Sequence, residues 1–452
     1  MAEYLDKLHS ERNIRELKNF LNDINPADIA QLLEQIEDER KRVFLFRMLT
    51  KENAAETFVE FDGDTQENLI SAFSDSELKE VIDELYIDDA ADIVEEMPAS
   101  VVKRILKNTD SETRAAINSI LKYPDDSAGS IMTTEFVDLK RNMTVEDAFK
   151  RIRRTGVDKE TIYTCYVTDE SRHLLGVTTV KELLLNDQDS EIKDLMETNV
   201  ISVNTLDDQE KASTLLSRYD FLALPVVDME NRLVGIITVD DAMDVLQEEN
   251  TEDIQKMAAI VPTDKPYLKT SVTETFKKRI PWLLLLMISA TITSQILTNF
   301  ENKLASVATL IAFIPMLMGT GGNSGGQSSV TVIRALSLDE ISMRDIFKVV
   351  WKELRVGIAC GAALAAVCFV KLLLFDKYVL GNSEITVMIS LVVSLTIIVE
   401  VIFSKIIGCC LPIIAKKCGF DPAVMANPFI TTITDAVSLL IYILFASALL
   451  GI

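Results

Sequence analysis

The stretch that most limits what this chain can become is PWLLLLMISATITSQILTNF, residues 281–300, twenty residues without a charge. As a helix rising about 1.5 Å per residue it spans the roughly 30 Å hydrocarbon layer of a bilayer. Four more apolar runs follow it, so the reading is a five-helix, all-α membrane domain over 280–452, with spans at about 282–300, 304–333, 356–375, 385–407 and 423–450. An odd number of spans puts the two ends of that domain on opposite sides of the membrane. Everything before it has another character. Residues 1–280 hold 59 Asp/Glu against 34 Lys/Arg, a net charge of −25, whereas the remainder holds 10 against 11, a net charge of +1. A field of that sign repels nucleic acid and attracts cations.

The basic residues set the orientation. Lys277, Lys278 and Arg279 precede the first span, Arg334, Arg344, Lys348, Lys352 and Arg355 follow the second, and Lys405, Lys416 and Lys417 border the loop after the fourth. The alternate loops hold only Lys303, Lys371 and Lys377. By the positive-inside rule the acidic half is cytoplasmic and the carboxyl end external, in a plasma (inner) membrane. The opening MAEYLDKLHSERNIRELKNF has no apolar core of a secretory signal. Two histidines, His9 and His173, argue against a His-ligated zinc site. Six cysteines, five of them in the apolar part and none in a C-x-x-C, read as reduced packing residues. No nucleophile, base and orienting group converge, so the chain does not read as an enzyme.

Within the acidic half, residues 1–128 carry a loose repeat of short amphipathic helices: PADIAQLLEQI from Pro26, KENAAETFVEF from Lys51, DSELKEVIDEL from Asp75 and DDAADIVEEM from Asp88. Units of this kind stack into an α-helical superhelix, each burying its face on the next. Such a solenoid serves equally as an interaction scaffold or as one wall of a ligand site. Two mutually similar units then occupy 129–192 and 193–250. SIMTTEFVDLKRNMTVEDAFKRI from Ser130 is answered by DLMETNVISVNTLDDQEKASTLL from Asp194, and LLGVTTVKELL from Leu174 by LVGIITVDDAM from Leu233. Each alternates strand and helix signals, with Leu224–Val227 and Leu233–Thr238 forming a hairpin around DMENR. This α/β pattern resembles a tandem pair of CBS domains, which implies sensing of nucleotides or ions. In the second copy Gly235, Thr238 and Asp241 match that family's ribose-binding turn. ATP binding there is one reading, and a structural strand-to-helix turn the other. Residues 251–279 read as a partly amphipathic connecting (plug) helix leading into the membrane.

Two motifs in the membrane part carry chemistry. The glycine-rich run from Gly319 to Ser329 breaks into the second apolar stretch. Backbone freed from a helix cannot face lipid, so such a break lines a wet path or hinges a helix. Alternatively, Gly319, Gly321, Gly322, Gly325 and Gly326 let neighbouring helices approach closely; Asn323 and Gln327 are then candidate pore-lining residues, with Thr431 and Thr432 facing them. No Lys-Ser/Thr follows, so the run is not a phosphate-binding loop. The second motif is Asp435, the sole charge between Pro422 and Ile452. Asn427, Thr431 and Asp435 recur at i, i+4 and i+8, on one helix face, and Thr432 and Thr434 add oxygens. That donor set suits a hydrated divalent cation. A carboxyl hydrogen-bonded within the bundle, or a proton relay, are the other readings. Glu400, a second intramembrane carboxylate, lies close enough in sequence to Lys405 to suggest a local ion pair.

Taken together, PMLMGTGGNSGGQSS, TVDDAMDVLQEENTEDI and DPAVMANPFITTITD make the chain resemble the MgtE family of magnesium channels over nearly its whole length. The resemblance implies a homodimer with its pore on the two-fold axis, Asp435 of each subunit with Asn427 forming the Mg²⁺ selectivity site. It also implies gating by cytoplasmic Mg²⁺, sensed by Asp208, Glu210, Asp220, Asp241, Asp244, Glu249, Glu252 and Asp253, with Asp88, Asp89 and Asp92 facing them. The family often has Asn where Gly326 stands and Gly where Ser438 stands, and Glu400 matches none of its hallmarks. An ion-coupled divalent-cation carrier and a membrane-anchored CBS sensor without transport are the rival functions.

Overall fold

A computed structural model describes Leu5, residues 13–263, Lys265, and residues 267–300, 307–338, 340–425 and 427–451, apart from the side chains of Asp158 and Asn427. The chain divides into two compact units, Met1–Gln247 and Glu248–Ile452.

The first unit begins with the expected helical repeat: α1 (Ile14–Asn22), α2 (Pro26–Glu34), α3 (Glu39–Phe46), α4 (Lys51–Val59), α5 (Gly63–Ala72), α6 (Asp75–Ile82), α7 (Ile87–Glu96), α8 (Ala99–Asn108) and α9 (Ser111–Ile120). Side-chain caps fix the starts of most of these short helices, α7 and α8 being the exceptions. Asn25, Asp38, Thr50, Asp62, Ser74 and Asp110 each accept a hydrogen bond from the first turn that follows. Alternate helices stack, α2 on α4, α4 on α6 and α6 on α8, which gives the superhelix. One continuous core runs through it from Leu17 and Leu21 past Phe46, Phe58 and Phe73 to Ile105 and Ile120.

Two copies of one α/β unit follow. The first has β1 (Val137–Lys140), α10 (Val145–Thr155), β2 (Thr164–Thr168), β3 (Leu174–Thr179), α11 (Val180–Leu185) and α12 (Ile192–Leu195); the second has β4 (Val203–Asn204), α13 (Gln209–Tyr219), β5 (Ala223–Val227) and β6 (Leu233–Thr238). Both sheets pair the first strand parallel to the second and the second antiparallel to the third. Equivalent glycines hold the copies in equivalent geometry. A Cβ on Gly176 would stand 2.8 Å from Met196 Sδ and 2.9 Å from the Glu197 carbonyl, and one on Gly235 would stand 2.7 Å from both Met132 Sδ and the Thr133 carbonyl. Each glycine is where another strand crosses the hairpin, at the bridges Val177–Glu197 and Thr133–Ile236. The two sheets share a core of Tyr166, Leu174, Ala223, Val227, Leu233 and Ile236.

Helix α14 (Val239–Met257) starts on the last strand and does not stop at residue 250; it ends at Met257, and the described residues from there to Ser271 are non-helical. The connecting helix expected over 251–279 is therefore the end of α14 and the beginning of α15 (Val272–Asn299), which carries Lys277, Lys278 and Arg279 in its first turns.

The second unit continues with a 3₁₀ turn at Ala308–Phe313, α16 (Ile314–Ser337), α17 (Ile346–Lys371) extended by a π-helical segment Leu372–Val379, α18 (Val387–Lys417), a 3₁₀ turn Pro422–Met425 and α19 (Asn427–Leu450). Residues 304–306, where the second span was expected to begin, lie outside the described residues. Among the described residues, Val272–Asn299, Met343–Val379, Val387–Lys417 and Pro422–Leu450 are long and apolar enough to cross a membrane. Helix α16 has the length, 24 residues, but its Gly, Ser and Thr content lowers its hydropathy. It is nonetheless central, packing on both α18 and α19. The core joins Leu317, Val392, Val393, Ile397, Val401, Leu439 and Tyr442. Tyr442 reaches across it to donate a 2.9 Å hydrogen bond to the Leu310 carbonyl. Helix α15, by contrast, buries none of its residues and exposes Leu283, Leu284, Leu285, Met287 and Ile288, as lipid-facing helices do.

Candidate functional sites

The glycine-rich run does not break its helix. Helix α16 is continuous from Ile314 to Ser337, so the expected interruption is corrected: the glycines serve close packing. A Cβ on Gly325 would lie 2.8 Å from Ile430 Cγ2 and 3.1 Å from the Ser404 carbonyl, one on Gly322 would lie 3.0 Å from Thr431 Cγ2, and one on Gly321 would lie 2.5 Å from Ser438 Oγ. From the other side a Cβ on Gly408 would meet the Gly325 carbonyl at 2.2 Å. The backbones of α16 and α18 thus touch, and the side chains of α19 pack directly on the glycine backbone of α16. The opposite face of α16 carries Gly319, Asn323 and Gln327, all exposed, and nothing lies within 4 Å of a Cβ built on Gly319. An apolar-length helix with a polar exposed face and a packed small-residue face cannot turn the former to lipid.

Asp435 sits half-buried on α19, one turn beyond Thr431, which packs on Gly322. Thr432 and Thr434 spend their hydroxyls on backbone carbonyls, at Pro428 and Thr431. The Asn427 side chain lies outside the described residues. The expected pairing of Glu400 with Lys405 does not occur. Lys405 turns to Glu353 on α17, at 3.9 Å, and donates a 3.5 Å hydrogen bond to Ser328, whose hydroxyl in turn meets Glu353. Residues five apart lie about 140° apart around a helix, too far to face one another.

The acidic half brings carboxylates together over a long sequence range. An open cleft of ≈ 790 Å³ is lined by Glu56 and Glu60 of α4, Asp88 and Asp89 of α7, Glu135, Glu160, and Asp240, Asp241 and Asp244 of α14. Asp92, one turn beyond Asp88, is within electrostatic reach of Asp89 and Asp241. The main-chain N–H of Ile87 donates to Glu135 and so fixes the start of α7 at the cleft. Asp88 is 6% exposed, and its Oδ1, like Oε2 of Glu160, is buried without a hydrogen-bond partner. Burial and then the neighbouring Asp241 push the Asp88 carboxyl well up from its ordinary value. The same two causes lift Asp89 to about 7 and Glu160 to about 8. Asp241 rises to about 6, through burial, although Thr238 donates to it. Lone pairs without donors, on groups that repel one another, are what a hard cation neutralises.

The predicted sensing residues therefore separate. Asp88, Asp89, Asp92, Asp241 and Asp244 converge. Asp208, Glu210 and Asp220 do not line the cleft: Asp208 caps α13 by accepting from the Glu210 N–H, and Asp220 ends the same helix in the left-handed region at φ 54°. Glu249, Glu252 and Asp253 lie on the last turns of α14, in the second unit. There Glu252 pairs with Lys256, which also holds Asp421 at 2.7 Å, and Asp253 accepts from Ser337. Glu135 and Glu160 were missed, because neither sits in a motif; Asp240, beside Asp241 in TVDDAM, had a signal that was not used. Gly235 has a sufficient structural reason in the strand crossing, and Asp241 faces the acidic cleft, so the ribose-binding turn has a competing use.

Comparison with known proteins agrees with this layout. Family models for the MgtE intracellular N domain match residues 24–126, CBS domains match 128–188 and 192–248, and the divalent cation transporter model matches 314–445. The chain is 36% identical over 454 residues to a protein of Thermus thermophilus named magnesium transporter MgtE, covering 100% of this chain and 98% of that one. It is 33% identical over 439 residues to the Bacillus subtilis protein of the same name, covering 96% and 94%. Among solved structures, the cytosolic domain of the Mg²⁺ channel MgtE in complex with ATP superposes with a TM-score of 0.52 at 35% identity, over 54% of this chain and 100% of that one. From its helical repeat, its CBS pair and its bundle of apolar helices, the chain is a multi-pass membrane protein belonging to the MgtE family of divalent cation transporters.

Proposed function

We propose that the chain is a homodimeric Mg²⁺ channel of the plasma membrane, closed by Mg²⁺ on its cytoplasmic side. The observation that carries the transport reading is Asp435, half-buried on a helix with no other charge and set against the glycine face of α16. A carboxylate costs roughly 2.5–3.5 kcal/mol at the centre of a membrane helix, a cost that a transported cation offsets. The exposed polar face of Gly319, Asn323 and Gln327 supports a second copy of the chain with water between, since lipid cannot cover it. Asn427, one face with Asp435, adds a neutral oxygen, and a hydrated Mg²⁺ is held by few carboxylates and many waters. The carboxyl end is external, as the basic residues around α15 and between α16 and α17 require.

The gate is sensed at the acidic cleft. Asp88 and Asp89 on the helical repeat and Glu160, Asp240, Asp241 and Asp244 on the CBS side repel until a divalent cation lies between them, so Mg²⁺ draws the helical repeat onto the CBS pair and the compact state closes the pore. ATP at the CBS pair, with Gly235, Thr238 and Asp241 at its ribose, is supported by the ATP complex of the similar cytosolic domain. Glu249, Glu252 and Asp253 complete the sensing set around the end of α14. The test is Mg²⁺ current through the purified full chain in bilayer patches, with cytoplasmic Mg²⁺ stepped from submicromolar to about 10 mM, a range that covers weak carboxylate sites. Current that disappears at the high level supports a gated channel. Uptake that needs a proton or sodium gradient replaces it with the carrier reading, and no flux at all leaves the sensor.

A further inference from the structure

Glu400 is a fully buried carboxylate of the helical bundle without a partner: it is 0% exposed, and neither of its oxygens makes a hydrogen bond. Ser404, one turn on along α18, is likewise 0% exposed, Ser438 on α19 is 1% exposed, and neither hydroxyl has a partner. On α18, Ser390 and Thr396 donate to the carbonyls of Thr386 and Val392 four residues back, whereas the Ser394 hydroxyl, like that of Ser404, has no partner. Ser404 leaves that option unused. The three side chains adjoin one another. Ser438 lies beside the Glu400 carboxylate without reaching hydrogen-bond geometry, and a Cβ on Gly321 would stand 2.5 Å from Ser438 Oγ and 3.3 Å from Ser404 Oγ. Gly321 therefore packs directly on the Ser438 hydroxyl and close to that of Ser404, where a methyl has no place.

Four oxygens without donors, closed off from solvent, ask for a positive partner. A proton on Glu400 would serve one oxygen and leave a new O–H to be placed, whereas a cation draws lone pairs from all four at once. The donor set carries a single negative charge, so one positive charge balances it. Mg²⁺ demands near-octahedral oxygen and keeps its waters, which this closed site has no means of replacing. We propose that Glu400, Ser404 and Ser438 form a dry site for one monovalent cation of sodium size inside the bundle, apart from the Mg²⁺ path. Asp435 lies within electrostatic reach of Glu400, so a bound cation also lessens the repulsion on that neighbouring carboxylate.

The experiment measures binding of radioactive sodium to the purified full chain, together with thermal unfolding in NaCl against choline chloride at equal ionic strength. The expected result is saturable binding of one ion per chain and a rise in melting temperature of a few degrees that saturates with it. Glu400→Gln abolishes both, Ser438→Gly and Ser404→Ala weaken both, and Gly321→Ala, which crowds both hydroxyls, does the same. Equal melting in the two salts without sodium binding overturns the proposal and makes Glu400 a buried neutral acid. Sodium binding that persists in Glu400→Gln overturns it too, by placing the ion elsewhere. Because the readout needs no flux, the assignment of the pore to Mg²⁺ can fail without touching it; Asp435→Asn, which removes the pore carboxylate, is expected to retain the sodium site.

Discussion

In the absence of divalent cations, raising the pH should open the acidic cleft, and Mg²⁺ should close it again. Asp89 is held up to about 7 and Glu160 up to about 8 when helix α7 lies against the CBS pair; apart, each returns to the ordinary carboxylate range near 4. The closed arrangement thus binds more protons than the open one, so closure is fully favoured below about pH 4 and is lost as the pH climbs through 7 to 8. Each bound proton is worth about 1.4 kcal/mol per pH unit. Because the carboxyls share one cluster and are partly solvated, one effective proton is the appropriate count. Between pH 5.5 and 7.5 closure then weakens by about 2.7 kcal/mol, a factor of about one hundred. Mg²⁺ at about one hundred times its dissociation constant restores the same amount. Hydrogen exchange of α7 (Ile87–Glu96) in the full chain, corrected for the intrinsic rate, reads this directly. Protection should fall about a hundredfold over those two pH units without Mg²⁺ and stay flat with it, and Asp88→Asn or Glu160→Gln should flatten the metal-free curve. Protection independent of pH, or restored equally by sodium at matched ionic strength, would refute the account.

Three further outcomes follow from the membrane part. Asp435→Asn should abolish Mg²⁺ flux into liposomes while leaving the melting temperature within a few degrees of the parent, since the group is only half-buried; flux above a tenth of the parent's would remove Asp435 from the path. Gly408→Ala sets a methyl 2.2 Å from the Gly325 carbonyl, so α16 and α18 must part, at a cost of about 1–3 kcal/mol; an unchanged melting temperature in detergent would contradict the close packing. Lys405→Met leaves Glu353 facing Ser328 without its cation and should destabilise the bundle by about 3–5 kcal/mol, with Glu353→Gln in the same chain recovering most of the loss; no recovery would mean that Lys405 acts through other neighbours.

The parts of this molecule that could be read from the sequence are those whose cause is local. Recurring amphipathic segments pointed to the helical repeat, the pairing of similar segments exposed the duplicated α/β unit, and twenty uncharged residues announced the membrane. Asp435 stood out for the same reason, because a single charge in an apolar run needs no knowledge of its neighbours to look costly. Inferences failed where the answer depended on what faces a residue across space. The glycine run looked like a break because its own side chains offer nothing to hold a helix, yet the helix persists. The contacts that use those glycines come from Ser404, Ile430 and Ser438 on other helices. Asp208, Glu210 and Asp220, named as sensing residues through the family resemblance, lie away from the cleft lining, and Asp208 and Asp220 also end helix α13, so their part in sensing rests on the resemblance and not on this cleft.

The two kinds of carboxylate cluster differ in a way that bears on function. Those around the cleft, Asp88, Asp89, Glu160 and Asp241, come from separate elements that can move apart, so their repulsion is a force that a cation or a proton switches. Glu400 is fixed in the middle of α18, one turn from Ser404, where the glycines of α16 let α18 and α19 pack closely. Repulsion there has no hinge to act on. A cation in the first place changes a conformation, whereas one in the second is retained as part of the packing, and the energetic demand on the second is the greater because no water reaches it. The cleft is thus legible in sequence as an excess of charge, whereas the Glu400 site exists only through the partners that three helices withhold from it.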